Sequence, residues 1–282
     1  MQESIKKADI LIEALPYIQA FAGKTIVVKY GGSALKSQSV VKGILKDLVF
    51  LSTVGLRPVL IHGGGREISR RLAAMGKAST FIHGMRVTDR AAIQVVNEAL
   101  QDVNQKLVES VRALGGAAEG LVARDQVILA EPHPRASQLG YVGSVKTVHV
   151  AKLRHVLQRP AIPVVSPVGS HNGQLYNINA DDAASMVAAS LQAEKFVLLT
   201  NVRGIMRHSG EPDSLIPTLT IKEAKLLLER KVIQEGMIPK VHACVAALRG
   251  GVKKTHIIDA TIPHALLLEI FTKTGIGTEM IR

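Results

Sequence analysis

Apolar residues recur at helical spacing along the first twenty positions of the chain. Ile5, Leu11 and Leu15 fall on one stripe, and polar or charged residues lie between them. This pattern predicts an amphipathic helix over residues 3–20. Because a proline ring removes one backbone hydrogen bond and crowds the preceding turn, we expect Pro16 to kink or end that helix.

The pattern then changes to short apolar runs that end at glycines. The predicted elements of this part are a strand over 25–30, a helix over 39–53, a strand over 59–61 and a helix over 67–75. Glycines at 31–32 follow the first strand, and glycines at 63–65 follow the second. Two strand–glycine–helix units in succession are typical of a mostly parallel sheet covered by helices.

The rest of the chain mixes hairpins with further units of this kind. The predicted elements are a helix over 90–114, hairpin strands over 127–129 and 145–149, a strand over 162–165, a polar turn at 170–173, a helix over 182–191, a strand over 196–200, helices over 220–233 and 238–249, a strand over 255–259 and a helix over 263–271. No linker rich in proline, serine or charge divides the chain. We therefore expect one α/β domain with two lobes.

Composition narrows the class of protein. The chain has 282 residues, of which 47% are hydrophobic and 21% charged, so it can bury a substantial core and is not disordered. No window of about 18 residues is uninterruptedly apolar, and charges at Glu3, Lys6 and Asp9 argue against a secretory signal. The single Cys244 excludes a disulfide framework and a cysteine-rich zinc site. We expect a cytoplasmic protein that does not contact membranes.

The net charge of +12 leaves two interpretations. A nucleic-acid-binding protein would carry such a field, and so would an enzyme whose basic surface handles anionic substrates. The basic residues are dispersed rather than arranged in a stripe. The aromatic residues are five Phe and four Tyr with no Trp, which is a poor supply for stacking on bases. The composition favours the enzyme.

Several familiar motifs are absent. Gly23-Lys24-Thr25 resembles the end of a P-loop, but Ile18 stands where that motif requires its first glycine. Ile68 occupies the third glycine position of a dinucleotide fingerprint that would begin at Gly63. The ten histidines show no spacing of metal ligands. The sequence therefore predicts no metal site built from protein side chains.

The remaining signals point to an anionic ligand. Glycine turns between a strand and a helix let backbone N–H groups approach a phosphate, and Lys29 precedes the first of them. Asn177 and Asn179 alternate just before an apolar helix, where an aspartate alone would suffice as a cap. Lys240 lies in the first turn of another helix, where a cation opposes the helix dipole unless an anion binds nearby.

Four motifs in chain order resemble the amino acid kinase family: Lys29-Tyr30-Gly31-Gly32-Ser33, His62-Gly63-Gly64-Gly65, Asn177-Ile178-Asn179-Ala180-Asp181 and Gly236-Met237-Ile238-Pro239-Lys240. The resemblance implies a three-layer α/β/α sandwich around a mostly parallel central sheet. It also implies transfer of the γ-phosphoryl group of ATP to a carboxylate, carbamate or phosphate, with ATP and Mg²⁺ as the cofactors.

Within the family, the segment 81–89 is similar to the substrate hairpin of members that phosphorylate the γ-carboxylate of N-acetyl-L-glutamate in the second step of arginine biosynthesis. A member with a different carboxylate, carbamate or phosphate acceptor is the alternative. A γ-carboxylate is already ionised at neutral pH, so the reaction requires no general base. This fits motifs that supply lysine, glycine and asparagine rather than a catalytic histidine.

The resemblance also implies the role of each position. Lys29 and Lys240 neutralise the phosphates in the transition state, and Asp181 holds both lysines. Backbone donors come from Gly31, Gly32, Gly63 and Gly64. The acyl amino acid contacts Gly64, Gly65, Arg86, Asn177 and Asn179, with Arg86 on its α-carboxylate. The nucleotide lies against Thr200, Asn201, Val202, Gly204 and Met237.

A second resemblance is to the arginine-sensitive members of the family, carried by 15–17, 264–271 and 275–278. It implies an inhibitory arginine site at Tyr17, His256, Glu269 and Gly275. The alternative is that Glu269 is a solvated helix residue and the glycines only end the helix.

The resemblance divides the chain into an oligomerisation helix over 1–22, an N-lobe over 23–195 with the acyl amino acid site and phosphate loops, and a C-lobe over 196–282 with the nucleotide and arginine sites. It implies a homo-oligomer, with a hexamer expected, and a P-II type nitrogen-signalling protein as a further candidate partner.

A few positions depart from the family pattern. Asn201 stands where Asp is usual, Glu235 where Gly is usual and Arg66 where Pro is usual, and the segment 123–126 also differs. None of these changes removes a phosphate-handling lysine. We therefore expect activity to be kept.

Overall fold

The computed structural model describes residues 1–31, 37–208, 210–233, 236–272 and 274–282. The helices are α1 (Gln2–Phe21), α2 (Gln38–Thr53), α3 (Gly65–Ala74), α4 (Arg90–Ala113), α5 (Ala136–Leu139), α6 (Val150–Leu157), α7 (Ala180–Leu191), α8 (Ile221–Glu229), α9 (Ile238–Arg249) and α10 (Ala265–Phe271). Short 3₁₀ turns lie at Ala123–Asp125 and Pro212–Ser214.

The strands are β1 (Thr25–Tyr30), β2 (Arg57–His62), β3 (Phe81–Ile82), β4 (Met85–Arg86), β5 (Ala117–Leu121), β6 (Ile128–Pro132), β7 (Val142–Val148), β8 (Ala161–Val165), β9 (Val168–His171), β10 (Gln174–Ile178), β11 (Lys195–Thr200), β12 (Thr218–Thr220), β13 (Lys254–Asp259) and β14 (Thr278–Ile281). The predicted strands and helices are found in the predicted order. The sequence analysis did not predict several short strands in the middle of the chain, the helices α5 and α6, or the strands β12 and β14 near its end.

An eight-stranded sheet runs through the molecule in the order β12-β14-β13-β11-β1-β2-β8-β5. The pairs of this sheet are parallel except for β13 with β14. Residues before 195 supply one half of the sheet, and residues from 195 onward supply the other. The sheet is therefore continuous from one half of the chain to the other, with β1 and β11 as the neighbouring strands.

Helices cover both faces of the sheet. Ile26 and Val28 of β1 pack with α2, α4 and α10 on one face, and Val27 packs with α6, α7 and α9 on the other. Both faces of β1 are buried, which is why this parallel strand is a continuous apolar run in the sequence. The three-layer α/β/α sandwich with a mostly parallel sheet is confirmed.

A small closed sheet of β6, β7, β9 and β10 lies beside this sandwich. The predicted hairpin is confirmed as the antiparallel pair β6 and β7. The polar turn expected at 170–173 joins β9 to β10, two strands that the sequence pattern did not indicate. Gly169 and Ser170 interrupt the apolar alternation there, so nothing in the local sequence marks a strand.

Of the two outcomes expected at Pro16, a kink or an end of the helix, the end is wrong, because α1 continues through Pro16 to Phe21. A proline removes the N–H that would bond the carbonyl of Ile12. Ile12 is exposed, so water can satisfy that carbonyl and the interruption costs little. In the described ranges, no helix is both long and apolar enough to cross a bilayer.

Candidate active site

The carboxyl ends of β1, β2 and β11 meet at one edge of the sheet. Tyr30, the last residue of β1, is in register with His62 on β2 and with Leu199 on β11. The glycine turns that follow β1 and β2 are therefore neighbours. A Cβ at Gly31 would lie 3.0 Å from the backbone nitrogen of Gly63, so a side chain there would force the two turns apart. Parallel α/β sheets bind ligands at this edge.

Lys29, Lys240 and Asp181 meet at this edge from three separate elements. Lys29 Nζ lies 2.6 Å from Asp181 Oδ1, and Lys240 Nζ lies 3.1 Å from Asp181 Oδ2. Lys29 is on β1, Asp181 in the first turn of α7 and Lys240 in the first turn of α9. One carboxylate thus binds two ammonium groups, and the arrangement keeps a net positive charge facing the glycine turns.

Burial and the two lysines act on Asp181 in opposite directions. Lys29 and Asp181 are only 7% and 6% exposed. Burial raises the pKa of the Asp181 carboxyl, but attraction to Lys29 and Lys240 outweighs it and holds the pKa below the ordinary range. Asp181 is therefore ionised at neutral pH. The neighbouring Asp182 has a raised pKa because of burial first and the Asp181 charge second.

A cavity of about 150 Å³ beside the glycine turns is lined by all the residues predicted to contact the acyl amino acid. Its lining includes Gly64, Gly65, Arg86, Asn177 and Asn179. These residues come from the turn after β2, from β4, from β10 and from the start of α7. The structure therefore brings together residues that are more than a hundred positions apart in the chain.

Arg86 is buried at the wall of this substrate cavity. Its Nη2 donates to Gly65 O at 2.9 Å and to Ser69 Oγ at 2.8 Å, and its Nη1 donates to Ser79 Oγ. Its guanidinium carbon lies 4.7 Å from the centre of the Phe81 ring. Burial lowers the pKa of this guanidinium. These bonds use three of the five N–H groups of arginine, and the guanidinium lines the substrate cavity.

The two asparagines differ in how they are held. Asn179 caps α7, because its side-chain oxygen accepts from the backbone N–H groups of Asp181 at 2.8 Å and Asp182 at 3.3 Å. An asparagine cap, unlike an aspartate, also carries an amide N–H₂ group, and Asn179 lines the substrate cavity. Asn177 Nδ2 donates to Thr88 Oγ1 at 3.2 Å. Both side chains can present donors to an acyl amino acid.

A larger cavity of about 410 Å³ follows the carboxyl end of β11. It is lined by all the residues predicted to contact the nucleotide after β11, namely Thr200, Asn201, Val202, Gly204 and Met237. Lys240 also lines it and is bound to Asp181. Asp181, which holds both lysines, directly follows Asn179 and Ala180 of the substrate cavity, so the two cavities are linked through this carboxylate.

Thr278 supports the nucleotide-side loop and was missed by the sequence analysis. Its buried hydroxyl accepts from Ile205 N at 2.8 Å and donates to Ile216 O at 2.7 Å. A Cβ at Gly204 would lie 2.5 Å from this hydroxyl oxygen, so the loop packs tightly on β14. Thr278 is distant from the loop in sequence, and only the fold reveals the contact.

The four residues predicted for an arginine site also line one cavity. Tyr17, His256, Glu269 and Gly275 enclose about 270 Å³ between α1, β13 and α10. Glu269 is buried and bonded to His256 Nδ1 at 2.6 Å and Ile276 N at 2.7 Å, so the alternative of a solvated Glu269 is wrong.

Lys195 belongs to this arginine-side cavity and was not predicted. Its Nζ lies 3.2 Å from His256 Nε2. Burial lowers the pKa of Lys195 and of His256. Burial alone would raise the pKa of Glu269, but the hydrogen bond from His256 brings it below the ordinary range. The imidazole thus donates through Nδ1 to a carboxylate and accepts from the lysine. A buried carboxylate is the feature that a cationic ligand requires.

One predicted backbone donor is bonded within the protein, and some predicted or atypical residues lie outside the part of the chain that the structure describes. Gly63 N donates to Tyr30 O at 2.8 Å, so the expectation that Gly63 offers its N–H to a phosphate does not fit this conformation. Gly32 and Glu235 lie outside the described residues. Arg66, in the first turn of α3, is exposed.

The donor set bears on the metal that ATP carries. Among the residues that the structure describes, no group of three His, Cys, Asp or Glu side chains could hold a metal ion. Two lysines and glycine turns suit a polyphosphate rather than a bare cation. A metal at this site would therefore be held chiefly by the nucleotide's own phosphates.

Comparison with known proteins agrees with this geometry. The sequence profile of the amino acid kinase family matches residues 24–259. The chain is 47% identical over 283 residues to an acetylglutamate kinase from a Nostoc species, covering 99% of this chain and 95% of the relative. It is 43% identical over 295 residues to an acetylglutamate kinase from Heliobacterium modesticaldum, covering 100% of each.

A solved structure is also similar. The N-acetylglutamate synthase from Neisseria gonorrhoeae, complexed with coenzyme A and N-acetyl-glutamate, has a TM-score of 0.85 and 30% identity. The match covers 96% of this chain and 62% of the synthase chain, so this chain spans less than two thirds of that protein. The same synthase complexed with coenzyme A and L-arginine has a TM-score of 0.79. With a profile match over most of its length and relatives along nearly all of it, the chain belongs to the amino acid kinase family.

Proposed function

We propose that this chain transfers the γ-phosphoryl group of ATP to the γ-carboxylate of N-acetyl-L-glutamate, giving N-acetyl-L-glutamyl 5-phosphate in the second step of arginine biosynthesis. The observation that carries the proposal is that Asp181 binds both Lys29 and Lys240, with Lys240 lining one cavity and the residues just before Asp181 lining a second. One cavity has the loop features of a nucleotide site, and the other has Arg86 and two asparagines. The activity of the relatives, named acetylglutamate kinases, supports the choice of acceptor.

The residues supply alignment and charge rather than covalent chemistry. A γ-carboxylate with an ordinary pKa near 4.3 is ionised at neutral pH and attacks the γ-phosphorus without a general base. The approach brings a carboxylate and a triphosphate together, and the two lysines offset that repulsion in the transition state. Asp181 sets the positions of both ammonium groups. Mg²⁺, carried by the ATP phosphates, would supply further positive charge at the β- and γ-oxygens.

An acceptor panel tests the proposed activity. ADP release is measured with ATP and, in turn, N-acetyl-L-glutamate, L-glutamate, L-aspartate and carbamate. We expect the highest kcat/KM with N-acetyl-L-glutamate, because Arg86 can meet the α-carboxylate and the asparagines can meet the acetyl group. A higher kcat/KM with another acceptor would favour a different member of the same family.

Arg86→Lys tests the substrate side. The substitution keeps the positive charge but loses the planar fork that holds Gly65, Ser69 and Ser79 while meeting a carboxylate. We expect the KM for N-acetyl-L-glutamate to rise about tenfold or more, with little change in the KM for ATP. Lys77→Arg, at an exposed ion pair with Asp89, is the control. An unchanged acceptor KM would place Arg86 in a structural role.

Inhibition by arginine is the regulatory part of the proposal. The cavity of Tyr17, His256, Glu269 and Gly275 offers a buried carboxylate for a guanidinium or ammonium group. The similar synthase, solved with L-arginine, supports this choice of ligand. Inhibition requires that arginine binds one conformation of the enzyme better than another.

Glu269→Gln tests the arginine site by removing the charge while keeping the shape. We expect sigmoidal inhibition of the wild type by L-arginine, and at least about a tenfold loss of arginine potency in the variant, since a hydrogen bond to a charged group is lost. Titration of activity with L-arginine and with L-citrulline, which lacks the charge, measures the effect. Full wild-type activity at millimolar arginine would remove this site from regulation.

The N-terminal helix is the proposed oligomer contact. Ile5, Ile10, Leu11, Ile12 and Leu15 of α1 are exposed, whereas Tyr17 and Phe21 face the arginine-side cavity. Exposed apolar stripes of this kind mark interaction surfaces. We propose a cytoplasmic homo-oligomer, a hexamer assembled through α1, that also offers a docking surface to a P-II type nitrogen-signalling protein. We also propose an N-lobe over 23–195 and a C-lobe over 196–282, a division supported by the sheet, whose second half begins one residue earlier with β11.

Deletion of residues 1–21 tests this assembly. We expect a smaller species by light scattering that remains folded and active and has lost arginine inhibition, because Tyr17 and Phe21 leave with α1. Leu11→Asp in the full chain keeps both of those residues and charges only the exposed stripe. It should also lower the mass, and an unchanged mass in both proteins would show that α1 packs only within its own chain.

A further inference from the structure

A buried polar cluster lies directly behind the second glycine turn, and the proposed function gives it no role. It consists of His62 at the end of β2, Asn104 on α4 and Ser166 just after β8, which are 0%, 2% and 3% exposed. His62 Nδ1 lies 3.0 Å from Gly63 O, and His62 Nε2 lies 3.0 Å from Ser166 Oγ and 3.1 Å from Asn104 Nδ2. Full burial of three polar side chains is costly unless each bond is made.

The partners fix the proton on the imidazole. A carbonyl oxygen can only accept, so Nδ1 carries the hydrogen and donates it to Gly63 O. Nε2 then accepts from the Ser166 hydroxyl and the Asn104 amide, whose second hydrogen goes to Val164 O at 2.7 Å. Burial lowers the pKa of His62 to about 4, so the ring stays neutral at the pH at which the enzyme works. His62 is thus held in a single tautomer.

The hydrogen bond from His62 to the Gly63 carbonyl determines the direction of the Gly64 N–H. The Gly63–Gly64 peptide is trans, and in a planar trans peptide the C=O and N–H bonds point in opposite directions. The Gly63 carbonyl points toward the buried imidazole, so the Gly64 N–H points away from it. Gly64 lines the substrate cavity together with Arg86 and Asn179. On the other side, Gly63 N is bound to Tyr30 O, which fixes the preceding peptide as well.

We infer that His62 is a positioning residue, which holds the Gly63 carbonyl and thereby directs the Gly64 N–H toward the group being phosphorylated. The inference rests on the proposed phosphoryl transfer. A donor of fixed direction stabilises charge that develops in the transition state without reorganising. The benefit therefore falls on kcat rather than on the affinity for substrates.

Two substitutions test the hydrogen bonds of the two imidazole nitrogens separately. His62→Asn carries its amide nitrogen on Cγ, where histidine carries Nδ1, and can still donate to Gly63 O. His62→Gln reaches farther and can meet Ser166 and Asn104 but not the Gly63 carbonyl. We expect His62→Gln to lower kcat about tenfold or more with both KM values nearly unchanged, and His62→Asn to stay within about threefold of the wild type. Thermal unfolding of both variants measures the structural cost separately.

Each result decides the question. A kcat for His62→Asn that falls as far as that of His62→Gln, or farther, would overturn the inference. So would a His62→Gln variant of wild-type kcat, or failure of both variants to fold, since His62 would then act only on the stability of the core. If only one variant folds, its own expected kcat is the test. The wild type is assayed alongside, and a wild type that turns over no acceptor overturns the proposed function instead.

Discussion

Replacing Lys240 with Met is expected to lower kcat by about 100-fold or more, with less than about threefold change in the KM values for ATP and N-acetyl-L-glutamate. The ammonium group of Lys240 lies at the wall of the nucleotide-side cavity and 3.1 Å from Asp181. Charge on the transferred group is greatest in the transition state, so the loss falls on turnover more than on binding. Initial rates over a matrix of both substrates measure the two effects.

The matched control for this substitution is Lys253→Met. Lys253 is an exposed lysine that pairs with Glu194 at the opposite edge of the sheet. Lys253→Met removes the same charge from the molecule, so any general effect of net charge appears in both variants. A folded Lys240→Met protein with turnover equal to the control would remove Lys240 from the mechanism.

Lys240 also shows what local sequence can reveal about a site. A lysine in the first turn of a helix opposes the helix dipole, and this local conflict predicts that an anion lies nearby. The structure places that lysine in the first turn of α9 beside Asp181. The glycine turns were predictable for a different reason, because apolar strands that end at glycines before a helix are typical of anion-binding turns.

The parts that sequence reasoning missed depend on contacts between distant segments. Lys195 meets His256 only because β11 and β13 are adjacent in the sheet. Thr278 reaches the loop after β11 only because β14 joins the same sheet beside β13. Their local sequences are ordinary strand sequences. Pairing and packing decide these contacts, and a single sequence without alignment carries no signal for them.

Asp181→Asn is expected to lower both turnover and stability, since the amide keeps the shape of the carboxyl group but leaves two ammonium groups close together without a counter-charge. We expect kcat to fall about 100-fold, because Lys29 and Lys240 lose their common anchor. We also expect the free energy of unfolding at pH 7 to fall by about 3 kcal/mol, as for the removal of one partner from a buried ion pair. Urea denaturation and initial rates measure the two losses.

The pH dependence of the loss in unfolding free energy shows whether the Asp181 charge causes it. Asp182→Asn is the control, because its effect on stability is expected to be opposite. The folded pKa of Asp181 lies below its ordinary value of 3.8, so its stabilising effect is full above that pH and is lost as the pH falls through the folded pKa. The folded pKa of Asp182 is raised, so its ionisation costs stability at pH 7, and Asp182→Asn should be neutral or stabilising. The free energy of unfolding of each variant is compared with that of the wild type by urea denaturation between pH 7 and pH 4. As the pH is lowered, Asp181→Asn should remain less stable than the wild type, whereas any extra stability of Asp182→Asn should disappear. Equal deficits in the two variants at pH 7 would contradict the assignment of Asp181 as the counter-ion of both lysines.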